Sequence, residues 1–320
     1  MFSWGAGSLG QLGSGMQSDS LRPLEVQACF SPVQQISCGG HHTVFLTGKH
    51  AHACGGLNGM GSMAEAGHEE QVVPQAVPFN AWSKIQVMQI GTGWAHAAFV
   101  TETGQAYMAG EGKAGQLGLG QSVLTAHQPC LHADLASHWE VKQAACGMHH
   151  TLLLAAPRFG MQAREHGQVI LGYGLQKHGQ LGLLPEGSGQ EGQANHQWTP
   201  RRLEGLSKGL IQQVAAGGHL SAALYSSGSS CLVWGKDILT AAARGSYAEA
   251  VPLLLVSPGT SRSLPSRTAA AGHPSCRQNG AHFTAISLGW HHMLALDCMG
   301  GVWSWGSNSP SPREQRMRAS

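Results

Sequence analysis

Short apolar runs separated by glycine-containing turns recur along this chain, and the clearest copy lies in residues 91–120. It begins with a Gly-x-x-His element at Gly93 and His96, followed by an apolar run at 97–100, a turn at 101–105 and a second apolar run at 106–109. Two short apolar runs joined by a glycine-containing turn are typical of a β-hairpin. The pattern therefore predicts a hairpin of neighbouring strands in each copy.

A second signature follows the hairpin at a fixed distance. Gly110 ends the second run, and the tetrapeptide Gly-Gln-Leu-Gly begins five residues later, at 115–118. The same spacing separates Gly5 from 10–13 and Gly174 from 179–182. Because a glycine-rich tetrapeptide interrupts a strand, each copy predicts a loop, and the fixed spacing indicates an internal repeat.

These signatures divide the chain into repeat units. The entry elements lie at 39–42, 93–96, 147–150 and 289–292, with a shifted copy at 217–221, and the second runs end at Gly5, Gly55, Gly110, Gly174, Gly235 and Gly306. Between units, a proline-containing segment and a β-rich run supply two more strands, as at 21–26 with 33–38 and at 71–77 with 85–90. Each period thus contains about four strands. We predict an all-β fold, a β-propeller of four-stranded antiparallel blades with five full repeats plus a partial one.

The order Cys/Ala-Gly-x-x-His-Thr, then Trp-Gly, then Gly-Gln-Leu-Gly resembles the repeat of the regulator of chromosome condensation family, and the resemblance runs from Phe2 to Gly306. Residues 1–13 also resemble the first repeat of the secretion-regulating guanine nucleotide exchange factor branch, although that pattern recurs throughout the superfamily. The resemblance implies a seven-bladed propeller whose first and last strands pair within one shared blade. We assign residues 1–306 to the propeller and 307–320 to a polar, disordered C-terminal tail.

Five periods are fewer than the seven blades that the resemblance implies. Ser311, Pro312, Arg313 and Glu314 also occupy the place where a further Gly-Gln-Leu-Gly is expected. The sequence therefore predicts an incomplete version of the ring, or a truncated or alternatively spliced product.

Composition narrows the classes of partner. Only 11% of the residues are charged and the formal net charge is +2, which makes nucleic-acid binding through a global field improbable. No apolar stretch reaches the roughly 18 residues of a membrane helix, and residues 1–15 lack the features of a signal peptide. We therefore expect a monomer that works in the cytoplasm, the nucleus or both, without a membrane partner. The eight cysteines contain no Cys-x-x-Cys pair and are expected to be free thiols, with Cys38 and Cys146 buried.

Histidine and tryptophan recur at repeat positions, which favours structural roles. A metal needs three or four ligands that converge at about 2 Å from one ion, whereas equivalent positions of a repeat are spread around a ring. We expect the second histidine of each entry to hydrogen-bond backbone within its own blade. Blade packing is the predicted role of the recurring tryptophans, which are Trp4, Trp234 and Trp305 at strand ends and Trp94 and Trp290 after the entry glycine. No catalytic, cofactor-binding or metal-ligating residue is predicted, because no phosphate-binding or nucleophile motif occurs.

Three segments interrupt the repeat, at 157–168, 184–198 and 257–280. The last two have loop-like compositions, and we expect a solvated inter-strand loop at 257–280. The first lengthens a hairpin turn that is short in every other unit. It contains the candidate partner-binding residues Arg158, Phe159, Met161, Arg164, Glu165 and His166. Arginine and aromatic residues are enriched among interface hot spots, although a tolerated surface insertion is the competing interpretation.

Together, these features predict a protein-interaction propeller without bond-making chemistry of its own. By resemblance, one use is guanine nucleotide exchange on a small GTPase. The alternative is an adaptor or chromatin-associated scaffold without exchange activity.

Overall fold

In the computed structural model, the described residues are 1–26, 32–56, 72–79, 85–158, 167–183, 195–204, 210–228, 230–235, 253–256, 266–267, 282–290 and 292–306, with backbone alone at 230, 253–256, 266–267 and 305–306. Across these ranges, 22 strands form five four-stranded antiparallel sheets and one two-stranded ribbon, arranged as a β-propeller. The predicted all-β propeller with five full repeats and a partial one is confirmed. The predicted tail at 307–320 lies outside these ranges.

The ribbon and the first two blades come first in the chain. The ribbon pairs β1 (Phe2–Gly5) with β2 (Ser20–Glu25). Blade 1 contains β3 (Val33–Cys38), β4 (His42–Thr47), β5 (His50–Gly55) and β6 (Gln75–Ala76). Blade 2 contains β7 (Val87–Thr92), β8 (His96–Thr101), β9 (Ala106–Glu111) and β10 (Thr125–Leu131). The hairpins expected from the paired apolar runs are therefore present.

A short helix, α1 (Ala133–His138), connects blade 2 to blade 3. Blade 3 contains β11 (Trp139–Cys146), β12 (His150–Pro157), β13 (Val169–Leu175) and β14 (His196–Arg202). Blade 4 contains β15 (Ile211–Gly217), β16 (Leu220–Tyr225), β17 (Ser230–Gly235) and β18 (Leu253–Val256). Blade 5 contains β19 (Ser266–Arg267), β20 (Phe283–Leu288), β21 (His292–Asp297) and β22 (Val302–Gly306), with β19 outermost beside β22.

Three details differ from the sequence-based expectations. Ser266–Arg267, expected in a loop, adds an edge strand because its backbone pairs with that of Trp303 and Ser304. The helix α1 was not expected; its first turn is capped by His132, whose Nδ1 accepts from the Leu135 N–H at 3.5 Å. The first and last strands do not share a blade, because β1 pairs with β2 whereas β22 pairs with β21 and β19.

The Gly-x-x-His element packs a histidine ring onto a glycine. A Cβ on Gly93 would lie 2.2 Å from Cε1 of His96, so only glycine leaves room for the ring. The ring then directs Nε2 across the blade interface, where His96 Nε2 lies 3.0 Å from Thr151 Oγ1 and His150 Nε2 lies 2.9 Å from Ser221 Oγ. His96 and His150 are thus hydrogen-bonded, but the expected backbone partner within the same blade is wrong for these two. Their side-chain partners are hydroxyl groups of the next blade.

The Gly-Gln-Leu-Gly loop joins the same interface. The Thr151 hydroxyl donates to the carbonyl of Gln116 at 2.8 Å, and the Ser221 hydroxyl donates to the carbonyl of Gln180 at 2.6 Å. The side chain of Gln116 folds back to accept from the Ala114 N–H at 2.8 Å, which fixes the loop shape. Because Thr151 donates to a carbonyl, His96 must donate to Thr151 from Nε2, so the tautomer follows from the network.

A glutamine on the first strand of four blades makes a further bond to the next blade, and sequence reasoning missed it. Gln89 Nε2 donates to the Ala144 carbonyl at 3.0 Å, and Gln89 Oε1 accepts from the Ala144 N–H at 2.9 Å. The equivalent pairs are Gln35 with Ile90, Gln143 with Val214 and Gln213 with Ile286. The available signal was a glutamine seven residues before the histidine in the first three blades.

The two ends of this blade series expose faces that are buried elsewhere. Ile36 of blade 1 is 48% exposed, whereas its equivalent Ile90 is 1% exposed. Cys38 and Trp4 are also exposed, although their equivalents Cys146 and Trp234 are buried. The expectations of a buried Cys38 and a packed Trp4 are therefore wrong, because among the described residues the ribbon before blade 1 has only two strands and neither covers these side chains. At the other end, Leu294 and Leu296 of β21 are exposed.

Candidate partner-binding faces

The propeller has two faces that differ in chemistry. The entry-loop face carries the loops between the first and second strands of each blade, at 39–41, 93–95, 147–149, 218–219 and 289–290. The turn face carries the hairpin turns at 48–49, 102–105, 226–228 and 298–301, together with α1. Within the ranges described, no helix has the length and apolarity needed to cross a membrane.

The entry loops meet around the propeller axis because glycine allows close contact. The Gly40 N–H donates to the Trp94 carbonyl at 3.1 Å, and the Met148 N–H donates to the Gly218 carbonyl at 2.8 Å. A Cβ on Gly218 would lie 2.4 Å from Cδ1 of Trp290. Loops of successive blades are therefore held against one another at the mouth of the axis.

An aromatic cluster, formed by Trp94, Trp290 and His41, occupies this mouth. The rings of Trp94 and Trp290 are nearly parallel, with centroids 5.2 Å apart and an interplanar angle of 7°. His41 meets Trp94 edge-on at a centroid distance of 4.6 Å. Trp290 is 46% exposed, so the predicted packing role of this tryptophan inside the blades is wrong. Trp94 and Trp290 come from blades 2 and 5, and their stacking brings an accessible apolar surface to the entry-loop face.

Burial keeps His42, His96 and His150 neutral. Desolvation lowers the pKa of His42 to about 4 and the pKa of His96 and His150 to about 3, with neighbouring histidines adding to the shift. Burial also lowers the pKa of His149, against an opposing effect of Glu111. Among the described residues, no group of three or more histidine, cysteine or acidic side chains is placed to hold a metal ion. The described part of this site therefore offers apolar and hydrogen-bonding contacts.

The turn face carries charges of both signs. Lys49 of blade 1 contacts Glu102 of blade 2 at 2.9 Å and also bonds Gln86. On blade 3, Lys142 pairs with Glu140. These pairs are exposed, so each adds little stability.

The described ends of the predicted partner-binding segment lie at the turn face. Strand β12 ends at Pro157 and β13 begins at Val169. Arg158 lies at the base, where its backbone N–H donates to the His138 carbonyl at 2.9 Å, its Nε donates to the Trp139 carbonyl at 2.8 Å and its Nη2 donates to the Thr103 carbonyl at 2.7 Å. Arg158 therefore ties the base to α1, to its own blade and to blade 2. Phe159, Met161, Arg164, Glu165 and His166 lie outside the described residues.

Comparison with known proteins matches the repeat to one family. A family model described as the regulator of chromosome condensation (RCC1) repeat matches residues 1–46, 103–154 and 169–224, and a second model of the same description matches residues 283–309. The matched segments together make up more than half of the chain. They include three of the Gly-x-x-His entries and all three Gly-Gln-Leu-Gly loops.

Similar proteins extend this match over nearly the whole chain. The chain is 27% identical over 308 residues to the ultraviolet-B receptor UVR8 of Arabidopsis thaliana, with 96% of this chain and 60% of that protein covered. It is 29% identical over 312 residues to the secretion-regulating guanine nucleotide exchange factor of Bos taurus, with coverages of 96% and 59%. The chain thus spans about three fifths of the length of these relatives.

Solved structures show the same fold. Human WBSCR16 superposes with a TM-score of 0.67 at 20% identity, covering 97% of this chain and 75% of that one. Prp20p of Saccharomyces cerevisiae superposes with a TM-score of 0.57 at 19% identity, covering 95% and 80%. With the repeat signatures, the blades and these matches taken together, the chain belongs to the regulator of chromosome condensation (RCC1) repeat family.

Proposed function

We propose that this chain is a protein-interaction propeller that regulates a small GTPase by accelerating the release of bound GDP. The names of two relatives refer to an exchange factor. One is the bovine secretion-regulating guanine nucleotide exchange factor, and the other is a mouse RCC1-like G exchanging factor-like protein, which is 30% identical over 220 residues. We place the activity in the cytoplasm or the nucleus.

The observation that carries the proposal is that hydrogen bonds from Arg158 anchor the beginning of the segment 157–168 to its neighbours. Three bonds from Arg158 join this base to α1, to β11 and to the neighbouring turn at Thr103. The described turns of blades 1, 2 and 5 need only a few residues between their strands. A long insertion on such an anchored base can present Phe159, Met161 and Arg164, which belong to residue types found at interface hot spots.

The proposed mechanism requires no bond-making chemistry. An exchange factor binds the nucleotide-free GTPase more tightly than the nucleotide-bound form, and this difference in affinity shifts the population towards nucleotide release. In this proposal the segment 157–168 supplies the selective contacts. The surrounding turn face, with Lys49 and Glu102 on adjacent blades, adds charged contacts at the rim.

An adaptor without exchange activity is the second candidate function. The aromatic cluster on the opposite face favours it, because exposed aromatic surface is typical of protein-binding sites. An adaptor would hold a partner at that cluster and leave the nucleotide state of a GTPase unchanged.

Affinity capture with a panel of small GTPases tests the proposal. Each GTPase is presented in its nucleotide-free, GDP-bound and GTP-bound forms to the full chain and to a variant in which residues 157–168 are replaced by a Thr-Gly turn. We expect the full chain to retain the nucleotide-free form of one GTPase and the shortened variant to lose it. Trp290→Ala, a change on the opposite face, is the matched control and should retain capture.

Two results would contradict this assignment. Equal capture by the full chain and the shortened variant would exclude the segment as the contact. Loss of capture in Trp290→Ala with retention in the shortened variant would transfer the partner to the entry-loop face and favour the adaptor function.

A further inference from the structure

The ribbon leaves an open cleft beside blade 1. Among the described residues, β1 pairs only with β2, whereas the equivalent strands β5, β9, β13, β17 and β22 are each paired along both edges. The cleft has a volume of about 400 Å³, and its lining includes Phe2, Trp4, Ile36, His42 and Thr43. Phe2, Trp4 and Ile36 are all exposed. A strand edge with unpaired backbone groups next to apolar side chains favours the addition of further strands.

The other interfaces of the molecule show what covers an equivalent surface. The backbones of Ile90, Ala144 and Ile286 each make two hydrogen bonds with a glutamine on the first strand of the preceding blade: the carbonyl accepts from the glutamine Nε2, and the N–H donates to its Oε1. The hydroxyls of Thr151 and Ser221 each contact a histidine Nε2 from the second strand of that blade. In blades 1 to 3 the glutamine and the histidine are seven residues apart. One hairpin therefore supplies both contacts.

Blade 1 presents the matching groups in the cleft. Ile36 occupies the position of Ile90, and Thr43 occupies the position of Thr151. Thr43 Oγ1 already donates to the Gln11 carbonyl at 2.8 Å, as Thr151 does to Gln116, so its oxygen can still accept a hydrogen bond. The ribbon loop and blade 1 are thus arranged as in a complete interface, although the ribbon has no described strand that carries the glutamine and the histidine.

We propose that this cleft is a docking site for a β-hairpin of another polypeptide that carries glutamine and histidine seven residues apart. The glutamine amide bonds the backbone of Ile36, the histidine Nε2 donates to Thr43, and the second strand of the hairpin pairs with the free edge of β1. Docking converts the ribbon into a four-stranded blade. This inference concerns a surface separate from the turn face and does not rest on the proposed exchange function.

A second copy of this chain fits the cleft less well. The exposed face of its blade 5 carries His292, but Ala285 stands where the glutamine is required. The first and second strands of all five blades, including blade 5, are already paired within their own blades. A separate hairpin with both residues is the occupant that the interface chemistry favours.

A peptide from the chain itself provides the probe. Residues 85–105 contain β7, β8 and the entry loop between them, with Gln89 and His96 at the required spacing. We expect this peptide, labelled with a fluorophore, to bind the full chain and to protect the amides of residues 2–5 from hydrogen exchange. Peptides with Gln89→Ala or His96→Ala should bind at least tenfold more weakly. Ile36→Glu in the protein should abolish binding, whereas Leu21→Glu, at a position 99% exposed and outside the cleft lining, should not.

A second arm avoids the entropic cost of ordering a free hairpin, since isolated hairpins are marginally stable. The same residues are appended directly before Met1, which raises their effective concentration at the cleft. If the free peptide does not bind, the fusion decides the question. Protection of residues 2–5 from hydrogen exchange in the fusion supports the docking site, provided that this protection is lost when the appended copy carries the two alanine substitutions. Three results would overturn the proposal. The first is absence of protection in both arms, and the second is binding that is unchanged by the alanine substitutions or by Ile36→Glu. The third is self-association of the unmodified chain through this cleft.

Discussion

His42 provides the most specific test of the histidine contacts between blades. Its side chain is buried, and Nε2 has no hydrogen-bond partner. Thr151 and Ser221 supply the partner hydroxyls for His96 and His150, but the equivalent residue facing His42 is Ala97. Because one missing oxygen explains the unpaired nitrogen, Ala97→Ser is expected to stabilise the fold.

The expected magnitude follows from the two complete copies of the contact. A hydrogen bond adds about 0.5–1.5 kcal/mol to stability, and an unpaired buried polar group costs about 1–3 kcal/mol. Burying the serine hydroxyl offsets part of this gain. We therefore expect Ala97→Ser to raise the free energy of unfolding by about 1 kcal/mol, which corresponds to a rise in Tm of about 2 °C for a chain of this size.

Chemical denaturation and thermal melting measure this effect. Ala98→Ser is the matched control, because Ala98 is equally buried, packs with Val100 and Met108, and is not the repeat equivalent of Thr151. That control should lower stability by about 1–2 kcal/mol. The gain from Ala97→Ser should disappear when His42 is replaced by alanine, as a double-mutant cycle would show. A gain that persists without His42, or a loss equal to that of Ala98→Ser, would refute the reasoning.

Three further predictions address the other contacts between blades. Gln89→Ala should lower the free energy of unfolding by about 2–3 kcal/mol, because it leaves the buried backbone of Ala144 unpaired, whereas Gln34→Ala on the exposed face should change it by less than about 0.5 kcal/mol in denaturant titrations. Because the pKa values of His42, His96 and His150 are depressed in the folded state, the unfolded chain binds protons at these residues below pH 6.5 while the folded chain does not. Their contribution to the free energy of unfolding is therefore fully present above pH 6.5. It falls by about 1.4 kcal/mol per pH unit for each histidine as the pH drops towards 4. A slope between pH 5 and 6 that is unchanged in His150→Gln would contradict this. Gly93→Ala should cost about 3 kcal/mol or more because its Cβ would overlap the His96 ring, whereas Gly48→Ala, in open space at φ +59°, should cost only about 1 kcal/mol in the same melting experiment.

The blades could be predicted from the sequence because their signals are local. The hairpin at 96–111 follows from two apolar runs and a turn with Gly104, whose φ is +71°. The spacing of Gly-Gln-Leu-Gly reflects one loop geometry that repeats with the blade. Conversely, α1 has less than two turns and no periodic apolar pattern, and β19 has two residues. Neither offers enough sequence for a pattern to appear.

The contacts between blades could be predicted only in part. The entry histidine was identified as structural, but its partner lies 55 residues away for His96 and 71 residues away for His150. Cys38 and Trp4 are exposed because the ribbon has only two strands among the described residues. Their repeat positions, which match those of the buried Cys146 and Trp234, therefore predicted burial wrongly. The stacking of Trp94 on Trp290 likewise depends on how two distant loops meet at the axis. The candidate partner segment 157–168 remains a prediction, and the structure describes only residues 157, 158, 167 and 168 of it.

The release of fluorescent GDP from the GTPase retained in the capture experiment tests the proposed function most directly. The account predicts that the full chain accelerates release and that replacement of residues 157–168 by a Thr-Gly turn removes the acceleration. Trp290→Ala should release GDP as fast as the full chain. Release rates that are the same with the full chain, with the shortened variant and without added protein would contradict exchange activity.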